Sequence, residues 1–151
     1  MPTQKILKYF NSYEEFHTVP GNKLCHYIGI PSIMLSLLGL LARISIVDEV
    51  GGLSWARVDG GVILLIVALA WYFWMDWKLT LPWVFVSFAM YTIGAALPNA
   101  VNWALFIGGW IFQGVGHYVY EKKSPAFFRN FEHLLVGPLW IFARVIGYHR
   151  S

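Results

Sequence analysis

Residues 60–120 form a stretch of 61 residues that carries only two formal charges, Asp76 and Lys78. So long a stretch with so few charges must be covered by lipid or by other protein. A hydrocarbon core of about 30 Å asks for runs of about 17–25 apolar residues per helix. The sequence Met75-Asp76-Trp77-Lys78 reads as a short hydrophilic turn, and Pro98-Asn99 with Asn102 reads as a second break. Three apolar runs remain, at 61–75, 81–97 and 101–120, and an earlier one covers 27–47, interrupted only by Arg43 near its end. The 61–75 run is short at about 1.5 Å per residue, and Trp71, Trp74 and Trp77 suit the belt where a helix meets the headgroups. A last apolar stretch, 134–148, contains Pro138 and Arg144 and reads as a short or re-entrant element.

Composition agrees. The chain is 58% hydrophobic and 13% charged, against roughly 45–50% and 25% in soluble domains. This argues against a soluble or disordered chain, and Cys25, the single cysteine, cannot form a disulfide within it. A net charge of +3, scattered along the chain, gives no basic face for nucleic acid. The first run begins late, lacks a small-residue cleavage site and is followed by others, so it does not read as a cleaved signal.

The expected fold is therefore all-α: one membrane-embedded domain over 1–151, a helical bundle with four transmembrane helices. An N-terminal interfacial helix and a C-terminal short or re-entrant helix complete it. In residues 5–16, Ile6, Leu7, Phe10, Tyr13 and Phe16 fall at roughly helical spacing beside Lys5 and Lys8. Such a helix can lie on the membrane surface or pack on the rest of the protein. Across four spans, Lys5, Lys8, Lys23, Lys78, Lys122, Lys123, Arg129 and Arg150 share one side, against Arg57 and Arg43 on the other. The excess places both termini in the cytoplasm, at the inner membrane of a bacterium or the endoplasmic reticulum of a eukaryote.

The polar chemistry collects on that same side. His17 and His26 precede the first span, His117 ends the fourth, and His133 follows the loop after Glu121. His149 reads as a solvated tail residue. Asn22 and His26 are four residues apart on one helical face. Gln113, His117 and Glu121 repeat that interval, a polar stripe on an apolar helix that should face the bundle interior. Imidazole suits zinc, iron, copper and nickel. Glu121 could be a ligand, an acceptor for an imidazole N–H, a base, or a surface charge beside Lys122 and Lys123. Gln113 and Asn22 fit supporting or substrate roles. Cys25 is either a thiolate ligand or, more commonly, a small buried hydrophobe. Gly114 and Gly116 permit close helix approach.

His17-x4-Asn22-x3-His26 followed by Gly29-Ile30-Pro31 resembles the N-terminal signature of the 2-hydroxy-fatty-acid dioxygenase family. Gln113-x2-Gly116-His117-x3-Glu121, then Pro125-Ala126 and His133, resembles that family's second signature. The resemblance implies an iron(II)-dependent membrane enzyme of fatty-acid α-oxidation. Fungal members act in the endoplasmic reticulum on products of phytosphingosine breakdown. It further implies a long-chain 2-hydroxy fatty acid and dioxygen as substrates, and Fe(2+) as cofactor. His17, His26, His117 and His133 would be the iron-site positions, with Asn22, Gln113 and Glu121 supporting them. Two other readings of the same residues are a zinc hydrolase of a lipid amide or ester with Glu121 as base, and a non-enzymatic metal- or haem-binding membrane protein.

Overall fold

The structure, a computed structural model, describes residues 1–52, 57–125 and 131–148. Helix α1 (Gln4–Glu14) leads into α2 (Pro20–Leu41), then a small antiparallel hairpin, β1 (Ser45–Val47) and β2 (Val58–Asp59). Three further helices follow: α3 (Gly60–Met75), α4 (Trp77–Ala96) and α5 (Asn99–Gly114). Helix α5 runs directly into a π-helical segment (Val115–Glu121), and α6 (His133–Val145) ends the described chain. Among the described residues the architecture is all-α, with six helices and this one hairpin. His149, Arg129 and Arg150 lie outside the described residues.

The breaks in the apolar sequence are helix caps. The Asp59 carboxylate accepts from Val62 N at 3.0 Å and starts α3. The Asp76 carboxylate accepts from Lys78 N and Leu79 N, both at 3.1 Å, and starts α4. An acidic N-cap satisfies amides that would otherwise be orphaned in an apolar setting. Pro98 immediately precedes α5. The expected 27–47 span is displaced. Its helix starts at Pro20, whose missing N–H costs nothing in the first turn, and stops at Leu41. Ile46 and Val47 instead lie in the exposed hairpin.

Four transmembrane helices are expected from the sequence, and the structure supports two of them by length and composition. Among the described residues two helices are long and apolar enough to cross a membrane, α2 with 22 residues and α4 with 20. Asp76 ends α3 after 16 residues, about 24 Å of helix. Helix α5 likewise has 16 before its winding changes.

Helix α2 is central and packs on α3, α4 and α5. Its seam with α5 depends on glycine: a Cβ on Gly29 would lie 2.8 Å from the Gly109 carbonyl, and one on Gly109 2.9 Å from the Gly29 carbonyl. Small residues let the backbones touch. Helices α1 and α6 close one end of the bundle. Ile6, Phe10 and Tyr13 of α1 share a buried cluster with Val136, Leu139 and Trp140 of α6 and with Tyr72, Met75 and Leu79. The apolar face of α1 is thus spent on protein, the second of the two readings its pattern allowed. The Glu14 carboxylate takes a hydrogen bond from Trp140 Nε1 at 3.0 Å and pairs with Arg144. Away from this end the bundle surface is apolar and exposed, as at Phe85, Ile66 and Ile111.

Asp76 also receives Thr3 N at 2.8 Å, which ties the chain start to the α3–α4 corner. Replacing it (Asp76→Ala) should cost about 1–2 kcal/mol through the cap alone and lower the thermal midpoint. Trp77→Ala, at an exposed neighbouring position, should change it little. Equal midpoints for the two variants would contradict this role.

Candidate metal centre

His17 and His26 are oriented by the same local device. The His17 Nδ1 donates to the Tyr13 carbonyl at 2.6 Å, and the His26 Nδ1 donates to the Asn22 carbonyl at 2.9 Å, each four residues back. A carbonyl only accepts, so both Nδ1 atoms carry the proton and both Nε2 atoms present a lone pair. The His17 ring also stacks on Tyr13, with centroids 4.0 Å apart and planes 11° from parallel. The two Nε2 atoms then face each other at 3.0 Å. Burial pushes the His17 imidazole down to about 3, and His26 beside it adds to the effect, so no proton is supplied to bridge the lone pairs.

His117 completes the group. Its ring lies 5.0 Å from that of His17 and 4.8 Å from that of His26, centroid to centroid. One nitrogen from each of the three rings falls within 4.8 Å of the others, and all three residues are buried. His117 Nδ1 has no hydrogen-bond partner among the described residues. His133 stands apart from this group. Its Nε2 is 3.3 Å from Ser12 Oγ, its ring 5.7 Å from Tyr13, and its Nδ1 is buried and unpartnered among the described residues. It nevertheless lines the same cavity of about 430 Å³ as the other three.

The three supporting residues have distinct places. Glu121 Oε1 accepts from Thr18 N at 3.1 Å and from the Thr18 hydroxyl. Its Oε2 accepts from Val19 N at 3.1 Å and from Asn22 Nδ2 at 3.0 Å. Four donors occupy the roughly four acceptor positions of a carboxylate. Glu121 therefore ties the entry of α2, with His17 just before it, to the segment that carries His117. Asn22 shares in the tie and also donates to the Phe16 carbonyl at 3.1 Å. Gln113 is buried, lines the cavity, and its Nε2 has no partner among the described residues. Cys25 is a buried packing residue against Gly116.

The π segment keeps the polar stripe aligned. In an α-helix each four-residue step overshoots a full turn by about 40°, so a stripe at i, i+4 and i+8 drifts off its face. The wider π turn, with i→i+5 bonds, removes that drift. Gln113, His117 and Glu121 are accordingly all buried.

The donor set fits a transition metal. Neutral imidazoles suit iron, zinc, copper and nickel. Two nitrogens about 2.1 Å from a shared cation, at a right angle, would stand about 3.0 Å apart, which is the His17–His26 separation. Sequence reasoning missed Tyr13 and Thr18. The i−4 carbonyl that orients His17 could have been found from spacing, as Asn22 was for His26. Thr18 could not, because its partner lies 103 residues away.

These features define a class: a small apolar helical protein built around a buried histidine triad able to hold a metal. The particular family is evident from sequence comparison. Residues 3–149 match the family described as 2-hydroxy-palmitic acid dioxygenase Mpo1-like, and the chain belongs to it. It is 29% identical over 130 residues to the 2-hydroxy-palmitic acid dioxygenase MPO1 of Saccharomyces cerevisiae, covering 85% of this chain and 72% of that protein. No solved structure matches it.

Two outcomes are expected. Glu121→Ala strands four donors and should destabilise the fold by about 2–3 kcal/mol, with metal affinity reduced about 10–100-fold; metal titration and thermal melting measure both. Acid should also destabilise the metal-free protein. His17 titrates at about 3 when folded against an ordinary 6.5. It binds fewer protons folded than unfolded, so stability present near neutrality falls as pH drops from 6.5 toward 3. A thermal midpoint that is flat or rises from pH 7 to pH 4 would contradict the assignment.

Proposed function

We propose that this chain is an iron(II)-dependent dioxygenase that converts a long-chain 2-hydroxy fatty acid into the acid one carbon shorter, working from within a membrane. The observation that carries the reading is the meeting of the His17 and His26 lone pairs, with His117 beside them, at one end of an otherwise apolar cavity. Family membership supports the dioxygenase class and the hydroxy-acid substrate.

His17, His26 and His117 hold the iron. Bound there, iron supplies the redox activation of dioxygen and a Lewis-acid seat for the carboxylate and 2-hydroxyl of the acid. The remaining work falls to the chain. His133, at the same cavity end but outside the triad, meets the substrate's polar head, and Gln113 Nε2 donates to its carboxylate. Tyr13 and Asn22 fix the imidazole tautomers through their carbonyls. Glu121 holds the two halves of the site in register, and the apolar cavity keeps water from the reacting carbons. The overall balance is R–CHOH–COOH plus O2 giving R–COOH, CO2 and H2O. The hydroxy acid provides all four electrons, so no other reductant is needed.

A membrane setting is supported by α2 and α4 and by the exposed apolar surface around them, including Phe85 and Phe88. In this reading α3, and α5 with its π segment, are two further crossings, giving four. Lys5, Lys8, Lys23, Lys78, Lys122 and Lys123 all belong to the end that carries the histidines, and this excess favours a cytoplasmic location for that end and both termini. The zinc-hydrolase reading is disfavoured because Glu121, its base, has every acceptor position engaged.

Full-length protein loaded with iron should consume one dioxygen per 2-hydroxy acid and release the acid one carbon shorter. Without dioxygen, or with zinc in place of iron, it should release none. His17→Ala, His26→Ala and His117→Ala should each lose bound iron and at least about 100-fold in turnover. His133→Ala should retain the iron yet turn over poorly. Anaerobic product formation, or wild-type turnover in a triad variant, would refute the reading.

A further inference from the structure

We propose that the cavity behind the histidines is a length-gauged slot for a single straight acyl chain, with its depth set by Leu38 and Leu64. This rests on the hydroxy-acid reading above for what occupies the mouth. The slot itself follows from the lining.

One face of α2 forms a wall that starts at His26 and continues through Ile30, Met34 and Leu38. That interval is 12 residues, or about 18 Å at about 1.5 Å per residue. A cavity of about 430 Å³ spread over that length has a cross-section of about 24 Å². This is the width of one hydrocarbon chain rather than of a fused ring system. Of the polar groups beyond the mouth, Ser87 spends its hydroxyl on the Val84 carbonyl at 3.0 Å and Tyr72 on the Leu135 carbonyl at 2.8 Å, and Trp83 Nε1 is buried with no partner among the described residues. The rest of the lining there, with Ile30, Met34, Leu38 and Leu64, is aliphatic and favours methylene groups.

Beyond Leu38 and Leu64 the structure is closely packed and charged. Gly61 lies behind Leu38, and a Cβ there would be 2.9 Å from the Leu38 carbonyl and 2.9 Å from the Tyr91 ring. The Tyr91 hydroxyl donates to Asp59 at 2.6 Å, and Arg57 pairs with the same carboxylate at 3.5 Å. A tail longer than the slot meets this polar layer. Leu64 of α3 lines the cavity one helical turn from Gly61 and faces the last methylenes. A C–C bond of about 1.5 Å advances an extended chain by about 1.25 Å. The slot then takes about 14 carbons beyond a two-carbon polar head, a total of about 16.

The test uses the full chain in lipid nanodiscs with saturated 2-hydroxy acids of about 12 to 20 carbons. Retention on metal-free protein is measured by native mass spectrometry, and dioxygen-dependent shortening is measured separately on iron-loaded protein. Wild type should prefer a length near 16. Leu64→Phe should move the preference to shorter acids, with about fourfold weaker retention for each methylene it displaces. Leu64→Ala should move it to longer ones. Ile66→Phe, on the exposed face of the same helix, should leave the profile unchanged. In the unaltered chain, a 16-carbon 2-hydroxy acid with a terminal diazirine should label residues 37–38 or 64–65. Identical profiles in all variants, or labelling confined to the outer face around Ile66 and Phe85, would overturn the gauge. Retention that follows residue 64 without any shortening keeps the slot and removes the oxygenase reading. Shortening with a length preference indifferent to residue 64 does the reverse.

Discussion

Two imidazole lone pairs held face to face at 3.0 Å, out of water, repel each other unless a cation lies between them. Most of the surrounding structure maintains that arrangement. The Tyr13 and Asn22 carbonyls take the Nδ1 protons, which forces the lone pairs onto Nε2. Burial keeps His17 from picking up a proton that would relieve the contact. An apolar setting makes the repulsion stronger, and it makes the gain on metal binding correspondingly larger. The site is thus preorganised: energy spent in folding would be recovered on binding a metal.

Holding those rings together is a long-range problem. His26 and His117 are carried on different helices, and one carboxylate supplies the polar tie between their elements. Glu121 gathers the backbone amides of Thr18 and Val19, the Thr18 hydroxyl and the Asn22 side chain. The two amides immediately precede α2, so the same carboxylate fixes the entry of that helix and the site. The negative charge is also well placed at a helix start. Gly116 complements the tie, since a Cβ there would collide with Asn22 Oδ1.

The placement of the site agrees with the use proposed for it. The histidines lie at the bundle end that α1 and α6 cover, while the apolar cavity runs from them toward the middle of the bundle. A substrate with a polar head and a long tail can be met there at both of its ends. The elements that seal the site, α1 and α6, are joined to each other through Glu14, Trp140 and Arg144. They are joined to the helices beneath through the shared buried cluster and the bonds from Thr3 to Asp76 and from Tyr72 to the Leu135 carbonyl.

Much of this was legible in the sequence. Charge depletion over residues 60–120 specified apolar helices, and Asp76 and Pro98 marked their ends because a cap or a proline acts on its own few neighbours. The four-residue intervals at Asn22, His26, Gln113, His117 and Glu121 marked faces for the same local reason. Tertiary structure decided the rest. It determined that α1 spends its apolar face on α6 rather than on a lipid surface, because amphipathicity fixes a face and not its partner. It wound residues 115–121 as a π segment, which kept the stripe on one side. It turned Glu121 from a possible base into a saturated tie, and set His133 outside the triad. Those outcomes rest on groups brought together from about 100 residues apart, and a linear pattern carries no information on such distances.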